Sequence, residues 1–343
     1  MHGFTLVALA LFASGEAAGV AVPDYLNRHK LPELVLRPTH VRGDFDSEMV
    51  DCPMVLRHEN RWYMAYTGYD GDAYRVGLAA SDDLVNWQRL DMILDCAEAG
   101  QWDYGSVGGA CLFQQGGYWY AAYCGFPERG YEVGPGKIGL GRAKTIRGPF
   151  RRFLDRPVLL PSPGEQWDSG GLYRPFMARR EDTWHLFYNA KDRTGREQTG
   201  VATSTDLVHW KKYDRNPVLP TGPPGSWDSR FASDPAMINI RGRWHLFYYG
   251  FDGNHAQDGV AFSVDGDWFQ WEKFAGNPIL RVGPPGSYDE LHAHKPFVVE
   301  WQGIYYHYYC SCGRGERAIA LATSRPVDVR QEPTHPSPPA SDQ

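Results

Sequence analysis

The chain has 343 residues, with 35 Lys and Arg against 41 Asp and Glu. The net charge of −6 leaves no basic footprint for nucleic acid. Hydrophobic residues make up 42% and charged residues 22%, enough apolar side chain for a sizeable core and too much for a disordered chain. The body of the chain has no apolar run of about 18 residues, the length a membrane-spanning helix needs.

Residues 1–23 come first. Phe4 to Val22 is mostly apolar or small, as in a secretory signal, but only His2 precedes it for charge and Glu16 interrupts it. The segment reads as a signal or as an unpacked extension, so secreted, periplasmic and cytoplasmic locations all stay open. Glu33–Pro38 then reads as a short strand. From Phe45 onward an aromatic-Asp pair recurs, as Phe45-Asp46, Trp102-Asp103, Trp167-Asp168, Trp227-Asp228 and Tyr288-Asp289. The aspartates are 57, 65, 60 and 61 residues apart, and seven residues after each stand Pro53, Ala110, Pro175, Pro235 and Pro296.

Each unit continues in one way. An apolar run follows the proline, then an aromatic alternating strand such as RWYMAYTGYD or RWHLFYYGFD, then a third such as RVGLAASDD or QTGVATSTD. A fourth starts near Asn86-Trp87, His209-Trp210 or Gln270-Trp271 and ends in phrases like Asn216-Pro217-Val218-Leu219. Short period-2 runs bounded by Gly, Asp and Asn are strand and hairpin signals, and helical periodicity is nearly absent. Four strands in about 60 residues, repeated radially, describe an all-β propeller of five blades. The fifth unit offers only three strands before Arg325-Pro326, so residues 33–38 are expected to complete it and close the ring. One domain over residues 24–330 follows, with a disordered Pro- and Ser-rich tail over 331–343.

Repetition separates scaffold from site. The five aspartates recur and are expected to bond backbone at the turn before each inner strand. The second-strand Trp and Tyr residues and the Ser-x-Asp-Leu-x-x-Trp turns at Ser81 and Ser204 are likewise structural. Between each Asp and Pro, the fourth position is always small or apolar, as Val50, Val107, Leu172, Ala232 and Ala293. The next two diverge completely: Asp51-Cys52, Gly108-Gly109, Tyr173-Arg174, Ser233-Asp234 and His294-Lys295. Glu48, Arg230 and His292 differ from unit to unit as well. In a propeller these residues meet at one end of the central channel.

Carboxylates facing one another across a funnel suit cleavage of a glycosidic bond, which needs a proton donor and a second carboxylate. Asp51 is the candidate base. Asp234 is the acid, or a carboxylate that tunes it; His294 and Glu48 are the other candidate acids. Arg174, Arg230, Lys295, His292 and Tyr173 are the candidate substrate-binding groups, with arginine suited to planar anions. His292-Ala-His294 on a strand puts two imidazoles on one face, but spacing fixes no third metal ligand. The six cysteines show no metal spacing and read as buried free thiols.

Five units with an Asp-Pro-like approach to the inner strand resemble the five-bladed propeller glycosidases. These include the arabinanase/xylosidase, invertase/levanase, anhydrogalactosidase and mannoside phosphorylase families. The resemblance covers nearly the whole chain and rests on architecture and repeat pattern. In the arabinanase type it implies Asp, Asp and Glu on different blades. Asp51 and Asp234 match in place, but no blade offers that Glu, and Arg174 and His294 stand there instead. An Asp, Asp, His set is similar to the anhydrogalactosidase family, which implies inverting exo-hydrolysis. The invertase phrase Asn-Asp-Pro-Asn is absent, which sets fructan hydrolysis aside. Likeness to the mannoside phosphorylases implies phosphate as an alternative nucleophile. Related propellers also imply a structural ion such as calcium near the channel axis, and no cofactor is required. The expected partner is a carbohydrate, with no nucleic acid and no membrane. The remaining reading is a propeller that binds carbohydrate without turnover. Groups that differ at every blade favour one catalytic site.

Overall fold

The computed structural model describes residues 22–327, so the expectations for residues 1–21 and for the tail 331–343 lie outside the described residues. A 3-10 turn over Asp24–Leu26 leads to β1 (His29–Lys30). The first unit holds β2 (Met49–His58), β3 (Arg61–Tyr69), β4 (Tyr74–Ser81) and β5 (Gln88–Leu94). The second holds β6 (Ser106–Gln115), β7 (Tyr118–Phe126), β8 (Lys137–Ala143) and β9 (Arg151–Arg152). In the third are β10 (Gly171–Arg180), β11 (Thr183–Lys191), β12 (Glu197–Ser204) and β13 (Lys211–Lys212). The fourth has β14 (Phe231–Ile240), β15 (Arg243–Phe251), β16 (Ala256–Ser263) and β17 (Trp271–Lys273). The fifth has β18 (His292–Trp301), β19 (Ile304–Gly313) and β20 (Glu316–Thr323). The fold is all-β.

Within every unit, strands adjacent in sequence pair antiparallel. Single parallel pairs, Glu197 with Phe231 and Ala256 with His292, link the third unit to the fourth and the fourth to the fifth. The N-terminal segment pairs with β20: His29 lies opposite Thr323 and Lys30 opposite Ala322. The strand expected over 33–38 is reduced to one bridge, Leu36 with Ile319, because the chain bends at Pro32 and Glu33. Leu159, Leu219 and Leu280 make the matching bridges in the second, third and fourth units.

The recurring proline has a local cause. Each inner strand carries a β-bulge at the divergent positions: Asp51 pairs with Thr67 but Met54 with Ala65, and Ser233 with Tyr249 but Ala236 with Phe247. A bulge needs no ladder donor from the proline, which inside a sheet is confined to such places. The bulge also turns the preceding residue into the left-handed region, with φ of 49° at Cys52, 54° at Asp234 and 63° at Lys295. Gly109 takes the same conformation in the second unit at 60°, where glycine has no Cβ to clash. In the third unit the extra residues fall one position earlier, at Tyr173 and Arg174.

The repeated aspartates are buried, as expected of scaffold, but they bond side chains rather than turn backbone. Tyrosine hydroxyls from the second strands donate to them: Tyr66 to Asp46 at 2.9 Å, Tyr123 to Asp103 at 2.7 Å, Tyr248 to Asp228 at 3.2 Å, and Tyr309 to Asp289 at 3.0 Å. A cation reaches each as well: Arg89 to Asp46, Arg152 to Asp103, Lys212 to Asp168, Lys273 to Asp228 and Lys30 to Asp289. A buried carboxylate must be compensated, and charge-assisted bonds do so in every unit. The second-strand aromatics fill the space between sheets, with Tyr66, Tyr123, Tyr188 and Tyr308 among the buried core.

Candidate active site

The bulges aim the divergent residues into one cavity of about 470 Å³, lined by Asp51, Tyr173, Arg174, Asp234 and Lys295 among the expected residues. An outer chamber lined by His292, His294 and Lys295 shares Glu132, Glu197, Tyr249 and Lys295 with it. Two candidates fall outside: Glu48 and Arg230 are exposed, and neither side chain lines the cavity. They stand at the second position after the aspartate, before the bulge, where the strand still faces solvent.

Four charged residues of the cavity and outer chamber escaped the sequence reading: Glu132, Lys191, Glu197 and Arg317. Three were accessible by the same logic applied to the other strands. The residue three before the repeated glycine or alanine of the third strand is Tyr74, Gly136, Glu197, Ala256 or Arg317, again different in every unit. The position three after the repeated second-strand tyrosine gives Tyr69, Phe126, Lys191, Phe251 and Cys312. Glu132 had no such signal, because it sits on the loop between β7 and β8, outside the repeat.

Asp51 is 3% exposed and saturated with donors. Its Oδ2 accepts from Lys295 Nζ at 2.8 Å and lies 2.7 Å from Arg317, while Oδ1 accepts the Cys52 backbone N–H at 2.8 Å. Burial draws its pKa upward, but Arg317 and Lys295 outweigh burial and hold it well below the carboxylate range. A group so firmly ionised is an anion at neutral pH and a weak proton acceptor. Asp234 behaves oppositely. Burial, helped by Glu197 and Asp51, pushes it up to about 6 against the pull of Lys295 and of Arg174, 3.4 Å away.

His294 does not suit a proton donor. Burial, Arg317 and Lys295 drive its pKa well below the usual imidazole value, so the ring is neutral at pH 7. Its Nδ1 donates to the Cys310 carbonyl at 3.0 Å. His292 is lowered too, chiefly by burial, and its Nδ1 accepts the Ala256 backbone N–H at 3.1 Å.

Glu197 is held by four donors. Oε2 accepts from Ser233 Oγ at 2.5 Å, Asn189 Nδ2 at 3.1 Å and Tyr249 at 3.3 Å, and Oε1 lies 3.0 Å from Lys191 Nζ. Lys191 also reaches Glu132 Oε2 at 3.1 Å and lies over the Tyr173 ring, 4.2 Å from its centroid. Burial lowers the Lys191 pKa, but Glu197 and Glu132 more than reverse this, so it stays charged. Glu132 is pulled upward by burial and further downward by Lys191, Lys295 and Arg317. The cavity thus sets Asp51, Glu132, Glu197 and Asp234 against Arg174, Lys191, Lys295 and Arg317.

Among the described residues, the set that could hold a metal ion is His294, Cys310 and Cys312. Its nitrogen and sulfur donors do not suit calcium, which takes oxygen ligands. The described cysteines are all free, with Cys96 and Cys312 half-buried rather than buried. No described helix is long and apolar enough to cross a membrane.

No protein-family profile matches the chain. A 1,2-beta-oligomannan phosphorylase of Thermoanaerobacter sp. (strain X514) is 25% identical over 133 residues, 36% of this chain and 44% of that protein. The chain therefore spans less than half the length of this curated relative. A solved structure described as a glycoside hydrolase is 26% identical, covers 90% of this chain and 96% of its own, and superposes with a TM-score of 0.74. A thermostable family-43 glycoside hydrolase, 19% identical, covers 88% of this chain and 100% of its own at a TM-score of 0.63, a likeness of fold. In sequence and in architecture the chain is similar to the propeller-type glycoside hydrolases.

Proposed function

We propose that this chain is a glycoside hydrolase working in the central funnel of a closed five-bladed propeller. Five antiparallel units of one pattern support the blade count. Lys30 supports closure: in the fifth unit it meets Asp289 as Lys212 meets Asp168 and Lys273 meets Asp228, so β1 takes the part of a fourth strand.

Asp234 is the proton donor to the leaving oxygen. A carboxyl near 6 holds its proton into the mildly acidic range, where Asp51 and Glu132, both pulled down by neighbouring cations, have lost theirs. Glu197 is the partner. Three donors fix Oε2, so Oε1, next to Lys191, is the oxygen that attacks the sugar or activates water. Asp51, locked as an anion, orients sugar hydroxyls and offsets positive charge as the ring flattens towards an oxocarbenium ion.

The pairing of the cations is the observation that favours a neutral sugar and water over phosphate. Arg174, Lys191, Lys295 and Arg317 each have a carboxylate oxygen within 3.4 Å, and both histidines are shifted towards the neutral form. A phosphate would have to displace those carboxylates to reach a cation. The experiment is a panel of aryl glycosides and oligosaccharides with and without phosphate. Release of free sugar independent of phosphate is expected; obligatory phosphate and a sugar phosphate product would turn the assignment to the phosphorylase alternative. Glu197→Gln should bind product sugar without turnover. Unchanged turnover would remove Glu197 from the chemistry, and sugar binding without any turnover in the native chain would leave a carbohydrate-binding propeller.

Spacing, against the downward pull on its pKa, favours Glu132 in a second version of the acid. Glu132 and Glu197 oxygens, 3.1 and 3.0 Å from the shared Lys191 ammonium, stand no more than about 6.1 Å apart. That ceiling falls short of the ~6.5–9.5 Å of inverting pairs and leaves room for the roughly 5–5.5 Å of retaining ones. A substrate with an activated leaving group separates the two. Whichever of Asp234→Asn and Glu132→Gln keeps activity on it, while losing activity on natural linkages, identifies the proton donor.

A further inference from the structure

We propose that His294, Cys310 and Cys312 form a binding site for a soft divalent cation of the zinc class in the wall of the outer chamber. The inference concerns binding and does not depend on the glycosidase reading.

The first ground is placement. His294 on β18 and Cys310 on β19 are direct cross-strand partners, and Cys312 follows two residues later on the same face. Their ligand atoms all lie within 4.8 Å of one another. Two adjacent strands hold all three, so the sheet supplies the rigidity that a metal site needs.

The second ground is the tautomer of His294. The Cys310 carbonyl 3.0 Å from Nδ1 can only accept, so Nδ1 carries the proton and Nε2 a lone pair. A neutral imidazole fixed through one nitrogen by a carbonyl is the form that binds zinc through the other. The sequence reading paired His294 with His292; the structure pairs it with sulfur from the neighbouring strand.

The third ground is the donor beside the ligand atoms. Arg317 Nε donates to Cys310 Sγ at 3.4 Å, and its other nitrogens lie 3.3 Å from His294 Nε2, 2.7 Å from Asp51 and 2.5 Å from the Tyr131 hydroxyl. One donor meeting both Sγ and Nε2 shows that the two atoms turn lone pairs to a common point, which is what a metal ion takes. A bound ion takes the Cys310 and His294 lone pairs from Arg317, which keeps Asp51 and Tyr131. Three protein ligands leave a fourth tetrahedral position for water on the chamber side, where His294 and Arg317 are lining residues. Each ion that binds displaces the protons of whichever thiols still carry them, so a fully protonated pair releases two and forms an uncharged bis-thiolate complex. No electron moves.

Cobalt(II) is the probe. The full chain, reduced and stripped of metal with a chelator, is titrated with Co²⁺. The expected result is a sulfur-to-cobalt band in the near ultraviolet with tetrahedral ligand-field bands, saturating at one ion per chain and abolished by Zn²⁺. Cys312→Ser should weaken binding at least about 100-fold, since it removes one of three ligands. His292→Asn and Cys96→Ser should leave it unchanged. Absence of the sulfur-to-cobalt band, or an undiminished cobalt affinity in Cys312→Ser, would overturn the proposal. Should Cys312→Ser not fold, the native chain still decides. Zn²⁺ must protect the half-buried Cys312 from alkylation while Cys96 stays reactive, and equal labelling of Cys312 with and without metal refutes the site.

Discussion

Arg317 lies 2.7 Å from Asp51 Oδ2, and this contact joins the third strand of the fifth unit to the first strand of the first. Both groups are buried, and Lys295 completes the cluster at 2.8 Å. Asp51→Asn leaves two cations without a counter-charge and should cost about 3–5 kcal/mol of stability. The pH dependence follows from the direction of the shift. A depressed folded pKa contributes stability that is present above the unfolded value, near about 3.9, and is lost as pH falls towards the folded one. Urea unfolding of the two proteins from pH 7 to pH 2 should show the gap narrowing with acid. A constant gap would mean that the ion cluster is not its source.

Asp234 sets the alkaline limb of activity. With the carboxyl at about 6, kcat/KM should decline as pH rises through that value, because the donor loses its proton. In Asp234→Asn the limb should vanish along with most of the activity on unactivated linkages, a loss of about 100- to 10,000-fold. A limb unchanged in the variant would place the titrating group elsewhere.

Lys30 and Asp289 test the closure. Lys30→Met leaves a buried carboxylate with the Tyr309 and Ser287 hydroxyls alone, and a loss of about 1–3 kcal/mol is expected. Lys273→Met, at the matching place in the fourth unit, should cost a similar amount. Thermal unfolding of both compares them directly. A silent Lys30→Met beside a damaging Lys273→Met would mean that the N-terminal segment does not serve as the missing strand.

Lys191 bridges the Glu132 and Glu197 carboxylates. Lys191→Met should raise the pKa of Glu132, which loses the first of the cations that pull it down. Turnover at pH 7 should fall by at least about 100-fold, with KM changed far less, because positioning and charge are lost rather than sugar contact. A large rise in KM with kcat preserved would make Lys191 a binding group only.

The sequence by itself determined the repeat, and with it the strand order and the places that vary. Period-2 runs fix strands, and the proline seven residues after four of the five repeated aspartates marks a bulge, because only there can an inner strand accept one. Asp51, Arg174, Asp234 and Lys295 were legible for that reason, as the residues at or next to the bulge. Tertiary structure decided what they do. Asp51 and Asp234 are one residue type at neighbouring positions of the same motif, yet they are shifted in opposite directions. The difference lies in which cations other units bring: Arg317 and Lys295 close on Asp51, whereas Asp234 has one long contact to Arg174 and anionic neighbours. The partners of Lys191, and the meeting of His294 with two thiols, were likewise fixed only by strands coming together. Strand formation follows from side chains within a few residues of one another. A pKa follows from charges that may be hundreds of residues away along the chain and a few ångströms away in space.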